Sequence, residues 1–135
     1  MILITEASID IAALRVAVAR PEHGAIVVFE GVVRDHDGGR AVRSLEYQVH
    51  PDAQTELERI CAAVAAEAPD VRIGAVHRHG ALALGDIAFA AAVSSAHRER
   101  AFTVCAILVD RVKAELPIWK RQVFDDGSHE WVNFA

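Results

Sequence analysis

The stretch from Ser95 to Leu116 constrains this chain more than any other. Its apolar residues Phe102, Cys105, Val109, Val112 and Leu116 recur at helical spacing, and Pro117 stops the pattern because neither proline nor the residue before it continues a helix easily. Ser95 is a good residue to cap the start. A helix with one apolar stripe has to bury it, and the flanking sequence offers β structure on both sides. Gly24–Val33 (GAIVVFEGVV), Val42–Val49, Val71–His77 and Ile87–Val93 precede it, and Ile118–Val123 and Glu130–Phe134 follow. The spacing therefore predicts a long helix in the C-terminal half, packed on a sheet.

The remaining segments fit the same picture. Met1–Thr5 is a short apolar strand, and Asp10–Ala19 is a helix with Ile11, Leu14 and Val18 on one face and Pro21 beyond its end. Pro51–Ala68 is a second helix through Leu57, Ile60, Cys61 and Val64, with Pro51 suited to its first turn and Pro69 past its end. The loop Asp35–Gly39 joins Gly24–Val33 to Val42–Val49, and these two strands are expected to pair. Gly80 and Gly85-Asp86 mark turns between the next two strands, and Asp125-Asp126-Gly127 links the last two. There is no internal repeat. Strands outnumber helices and several are joined as hairpins, so the expected class is α+β with a mainly antiparallel or mixed sheet, in a single domain over residues 1–135.

Composition excludes several functions. At 53% hydrophobic residues the chain has enough apolar material for a core, which rules out a fully disordered protein. No apolar run is long enough to cross a bilayer, and the opening MILITEASID carries acidic residues where a secretory signal is basic, so no membrane association and a cytoplasmic location are expected. Cys61 and Cys105 form neither a CxxC pair nor a zinc spacing, which fits a reducing compartment. A net charge of −5 argues against a nucleic-acid partner. The charge is uneven, however: His97–Arg121 holds six Arg and Lys against three Asp and Glu, a local +3 on an acidic protein. Such a patch suits a small anionic ligand.

Within that patch the chemistry is specific. Of fourteen basic residues only Lys113 and Lys120 are lysine, the one basic side chain besides histidine that can give up its proton. Lys113 lies at the edge of the long helix's apolar stripe, where partial burial lowers an amine's pKa and prepares it for acid–base work or attack on an acyl group. An isolated lysine in such a place is more often a boundary lysine whose stem covers apolar surface. His97, Arg98 and Arg100 crowd the first turns of the helix, where the dipole disfavours cations but backbone N–H groups favour an anion. Arg98 there is either a phosphate ligand or a snorkelling arginine. Arg34 ends a strand at a Gly-rich loop, a common position for a binding residue. His77 and His79 share a strand face, yet no HExxH or paired-Cys motif accompanies them, so no metal site is expected.

In order along the chain, GAIVVFEGVVRDHDGG, HRHG, SSAHRERAF, VKAELPIWKRQ and GSHEWV resemble the large, catalytic subunit of molybdopterin synthase, over about Gly24 to Val132. The pairing of SAHR with a downstream LPIWK carries most of the specificity. The resemblance implies an α/β hammerhead fold, and a homodimer bearing two small ubiquitin-like sulfur-carrier subunits. It implies a sulfurtransferase with no cofactor of its own. The carrier's C-terminal thiocarboxylate would enter a pocket of this chain and give sulfur to cyclic pyranopterin monophosphate, forming the molybdopterin dithiolene. By similarity Lys113 and Lys120 would be catalytic. Arg34, His97, Arg98, Lys113, Lys120, Arg121 and Gln122 would bind substrate. Val32 stands where some relatives carry a basic residue, which implies contact through backbone there, and the chain stops at Ala135 where many relatives continue with a charged tail. The rival reading is a non-enzymatic dimeric module that binds a phosphorylated metabolite; it needs the arginines but not Lys113.

Both cysteines fall on apolar helix stripes, where cysteine behaves as a small hydrophobe. A Cys61→Ala, Cys105→Ala protein is therefore expected to keep its sulfur-transfer activity with a modest loss of stability. Trapping an obligatory persulfide on either cysteine during turnover would contradict this.

Overall fold

The computed structural model describes residues 1–133. One sheet contains β1 (Ile2–Thr5), β5 (Arg72–Arg78), β7 (Ile87–Ser95) and β2 (Ala25–Val32), in that order, with β1 parallel to β5 and the other pairs antiparallel. The strand β7 is buried along nearly its whole length, so it needs cover on both faces and a partner on both edges. Helix α1 (Ile11–Val18) covers one face, with Leu14 and Val18 on Val76, Ala90 and Ala92. Asp10 starts α1 by accepting a hydrogen bond from the Ala13 N–H at 3.0 Å. Helices α2 (Ala53–Glu67) and α3 (Arg98–Glu115) cover the other face.

The second sheet runs β3 (His36–Asp37), β4 (Arg40–Val49), β8 (Ile118–Phe124), β9 (His129–Asn133), with the short β6 (Gly80–Leu82) also pairing with β4. Its inner face joins the core of the first sheet, since Leu45, Tyr47, Leu82 and Ile118 belong to the same buried cluster as Leu57, Phe89, Leu108 and Val112. These features bear out the α+β class and the mixed, mainly antiparallel pairing.

Four local expectations are corrected. Gly24–Val33 and Val42–Val49 do not pair: β2 lies along β7, and β4 lies along β8 and β6. The doubly buried β7 requires a second edge partner, whereas β4 alternates buried and exposed residues as a strand with one wet face does. Ser95 does not cap α3; it ends β7, paired with Ala25, and His97 occupies the N-cap position without a side-chain hydrogen bond. Phe102 does not pack on the sheet and is 59% exposed. Ala101, Val104, Cys105, Leu108, Val109 and Val112 form the buried stripe of α3, so small residues set the face that the bulky Phe102 seemed to mark. The segment after Val71–His77, read as turns, contains β6. The expected end of the last strand at Phe134 lies outside the described residues.

Close packing of α1 on β5 leaves no room at Gly74. A Cβ there would stand 2.8 Å from Leu14 Cδ1 and 3.0 Å from the Met1 carbonyl oxygen, which already accepts the Ala75 N–H at 2.9 Å. Gly74→Ala is expected to destabilise the fold by roughly 1–3 kcal/mol, the usual cost of overpacking, read as a lower urea midpoint. An unchanged midpoint would show that this interface is looser than described.

Candidate active site

Three elements converge where α3 ends. Its last turn carries Lys113, and Leu116-Pro117 turn the chain directly into β8, which brings Lys120 back towards it. The register of β4 on β8 sets Tyr47 opposite Lys120 and Leu45 opposite Gln122. From the other side comes the end of β2, where an irregularity between Gly31 and Val32 breaks the ladder just before Arg34. Together with Phe89 and Ala88 these residues line a cleft of about 250 Å³.

Its electrostatics are cationic and partly dry. Lys113 is half-buried, and its amine is held below the ordinary value near 10.5, first by lost hydration and then by the neighbouring charges of Lys120 and Arg34. The carbonyl end of α3 favours a cation and opposes this, but the burial prevails. Burial pushes the Tyr47 hydroxyl up to about 12, so the phenol stays neutral near physiological pH. Gln122 is buried, and its amide donates to Asp37 Oδ2 at 2.5 Å and Glu130 Oε1 at 3.0 Å. Arg34 donates to Asp37 Oδ1 at 3.2 Å.

Behind the cleft wall lies His77, 1% exposed, stacked on Phe89 with centroids 5.4 Å apart and edge-on to Tyr47 at 5.1 Å. Its Nδ1–H donates to the Arg78 carbonyl at 2.8 Å, while Nε2 has no hydrogen-bond partner among the described residues. Burial, together with the charge of Lys113, holds the imidazole neutral down to about 4. No group of three His, Cys, Asp or Glu able to hold a metal occurs among the described residues. Cys61 and Cys105 are buried, with burial pushing the Cys61 thiol up to about 11 and the Cys105 thiol up as well, away from the reactive thiolate.

Of the residues singled out in the sequence, the cleft unites Arg34, Lys113, Lys120 and Gln122. Arg121 alternates to the outer face of β8, opposite Glu46 and Trp131. His97 and Arg98 are exposed at the far end of α3, and Arg98 is fifteen residues from Lys113, roughly 22 Å along the axis. One protomer cannot bring them to one small ligand. Tyr47, Phe89, His77 and Asp37 were not foreseen. The alternating pattern of β4 could have placed Tyr47 inward, but only the register on β8 sets it against Lys120. A larger cleft of about 430 Å³ lies elsewhere, between α1, α2 and β5. Its lining mixes Arg20 and Arg72 with Glu22, Glu58 and Asp70, and it lacks the concentrated positive charge of the smaller one.

Comparison with known proteins bears on the family and the fold. The family model described as MoaE protein matches residues 4–115. A molybdopterin synthase catalytic subunit from Staphylococcus carnosus is 39% identical over 113 residues, covering 83% of this chain and 75% of that protein. The crystal structure of molybdopterin synthase from Staphylococcus aureus superposes with a TM-score of 0.90 at 33% identity, covering 96% of this chain and 95% of the other. A complex of subunits 1 and 2 of molybdopterin-converting factor from Helicobacter pylori shares the fold, with a TM-score of 0.72 at 19% identity over 98% of this chain and 88% of that one.

The buried imidazole gives a pH signature. The unfolded chain takes up the His77 proton near 6.5 and the folded chain only near 4, so between these values the unfolded state binds more protons. Stability is complete above pH 6.5 and is expected to fall by about 2 kcal/mol between pH 6.5 and pH 5. His77→Phe should flatten that slope in urea melts. An equal slope in the variant would mean that another group is responsible.

Proposed function

The chain belongs to the MoaE family of molybdopterin synthase catalytic subunits, and from that premise we propose that it moves sulfur from the C-terminal thiocarboxylate of a small ubiquitin-like carrier subunit onto cyclic pyranopterin monophosphate, building the molybdopterin dithiolene. The observation that carries this reading is the convergence of Arg34, Lys113 and Lys120 on one cleft, with the Lys113 amine eased towards its neutral form. A thiocarboxylate, a carboxylate and a phosphate are all anions, and a partly desolvated cationic cleft strengthens its hold on each. Each transfer leaves one sulfur on the pterin and a carboxylate on the carrier, so a dithiolene consumes two thiocarboxylates. Lys113, whose amine releases its proton more readily than an ordinary lysine, acts as the acid–base group at the reacting carbon. Lys120 and Arg34 balance the developing negative charge and Gln122 lines the pterin side, while Arg121, on the outer face of β8, stays outside this cleft. The thiols take no part. The site of action is the cytoplasm, consistent with the described residues containing no helix long and apolar enough to cross a membrane.

The 22 Å between Arg98 and Lys113 leads to a second element of the proposal. In a twofold homodimer His97 and Arg98 of one protomer face the Lys113 cleft of the other, which gives two equivalent shared sites. The carrier subunit docks so that its C-terminus reaches the cleft. The complex of two molybdopterin-converting factor subunits from Helicobacter pylori supports a small-subunit partner of this kind.

Two experiments follow. Lys113→Ala is expected to fold and dimerise yet lose at least about a hundredfold in dithiolene formation, the scale of a lost general acid–base group. Near-normal turnover would favour a phosphate-binding module instead. Mixing inactive Arg98→Ala with inactive Lys113→Ala chains should restore part of the activity, because half of the sites in an exchanged dimer carry neither lesion. Exchanged dimers as inactive as their parents would refute the shared site.

A further inference from the structure

The cations of the cleft share an anion that the chain itself supplies. Asp37, three residues after Arg34, sits on the short β3 at the cleft rim, where Gly38 and Gly39 turn the chain with positive φ of 56° and 78°. Its carboxylate accepts from Gln122 Nε2 at 2.5 Å and from Arg34 Nη2 at 3.2 Å. The Gln122 bond, then the charges of Lys120 and Arg34, hold this carboxyl below its usual range. Three of the residues that line the cleft are therefore engaged by one carboxylate before any ligand arrives. Glu130 takes the second N–H of the same Gln122 amide, so that amide is fixed in orientation.

We propose that Asp37 tunes the charge selectivity of the cleft, narrowing the advantage that its cations give a doubly charged phosphate monoester over a singly charged phosphodiester. This rests on the reading that the cleft takes a phosphate. Coulomb energy scales with the product of the charges, so a fixed carboxylate repels a dianion about twice as strongly as a monoanion at the same distance. A phosphate monoester carries about −1.5 to −2 near neutral pH, whereas a diester carries one charge. By the same scaling Arg34 and Lys120 attract the monoester more strongly than the diester, and Asp37 removes part of that excess. In a reaction that opens a cyclic phosphodiester to a monoester, the same residue loosens the product relative to the substrate.

The test is titration of the full-length protein with dimethyl phosphate and with methyl phosphate at constant ionic strength, following the backbone amides of Arg34, Lys113 and Lys120 by NMR. Asp37→Asn keeps an oxygen for Gln122 and removes the charge; Asp37→Glu keeps the charge. Asp37→Asn is expected to tighten methyl phosphate about fivefold and dimethyl phosphate about twofold, the scale of one exposed ion pair, while Asp37→Glu keeps the original ratio. Thermal melts of the three proteins confirm equal folding. An unchanged ratio of the two affinities in Asp37→Asn, or weaker binding of both ligands, overturns the inference and leaves the phosphate reading standing. If neither phosphate perturbs the cleft in any of the three proteins, the phosphate reading falls and this inference falls with it.

Discussion

Holding Lys113, Lys120 and Arg34 around one small cleft is electrostatically unfavourable, and much of the fold near the site serves to make it tolerable. Three like charges repel one another, and burial removes from Lys113 the water that would screen them. Three features offset this. The carbonyl end of α3 faces the lysine, Asp37 neutralises part of the charge of Arg34 and Lys120, and the Lys113 amine lowers its affinity for a proton. The last of these turns an unfavourable arrangement into a chemically useful one, because an amine that releases its proton more readily serves as acid and base.

The cleft stays in place because its walls belong to the core. Tyr47, Leu45 and Phe89 line it and are also part of the main buried cluster, so the site cannot shift without disturbing the packing of α3 on the sheet. His77 extends that wall inward. Burial among its aromatic neighbours, helped by the charge of Lys113, keeps the imidazole neutral against the opposing pull of the Arg78 carbonyl, so it adds no further positive charge beside Lys113. A charged imidazole there would raise the repulsion that the rest of the site is arranged to limit.

Much of this was legible in the sequence, but only where one element determined the outcome. The helical period placed Lys113 at the edge of a buried stripe, and Pro117 fixed the end of the helix and the start of the strand that carries Lys120. Long-range pairing was less accessible. The assignment of β2 to β7 rather than to β4 depends on how completely β7 is buried, which its own composition states only once the partners are known. Tyr47 and Gln122 reach the site through the register of β4 on β8, and Asp37 through a two-residue strand that no periodicity announces. Phe102 shares the helical spacing of Cys105 and Val109 yet stays exposed, because Ala101 and Val104 complete the packed face of α3.

The central claim is that the cleft holds the Lys113 amine in surroundings that favour its neutral form. The sequence has only two lysines, so a protein labelled with ¹³C at lysine Cε gives two side-chain signals to follow by NMR against pH, and Lys120→Arg leaves one. The account predicts that the Lys113 signal titrates clearly below the ordinary value of 10.5. A midpoint at or above 10.5 would contradict it.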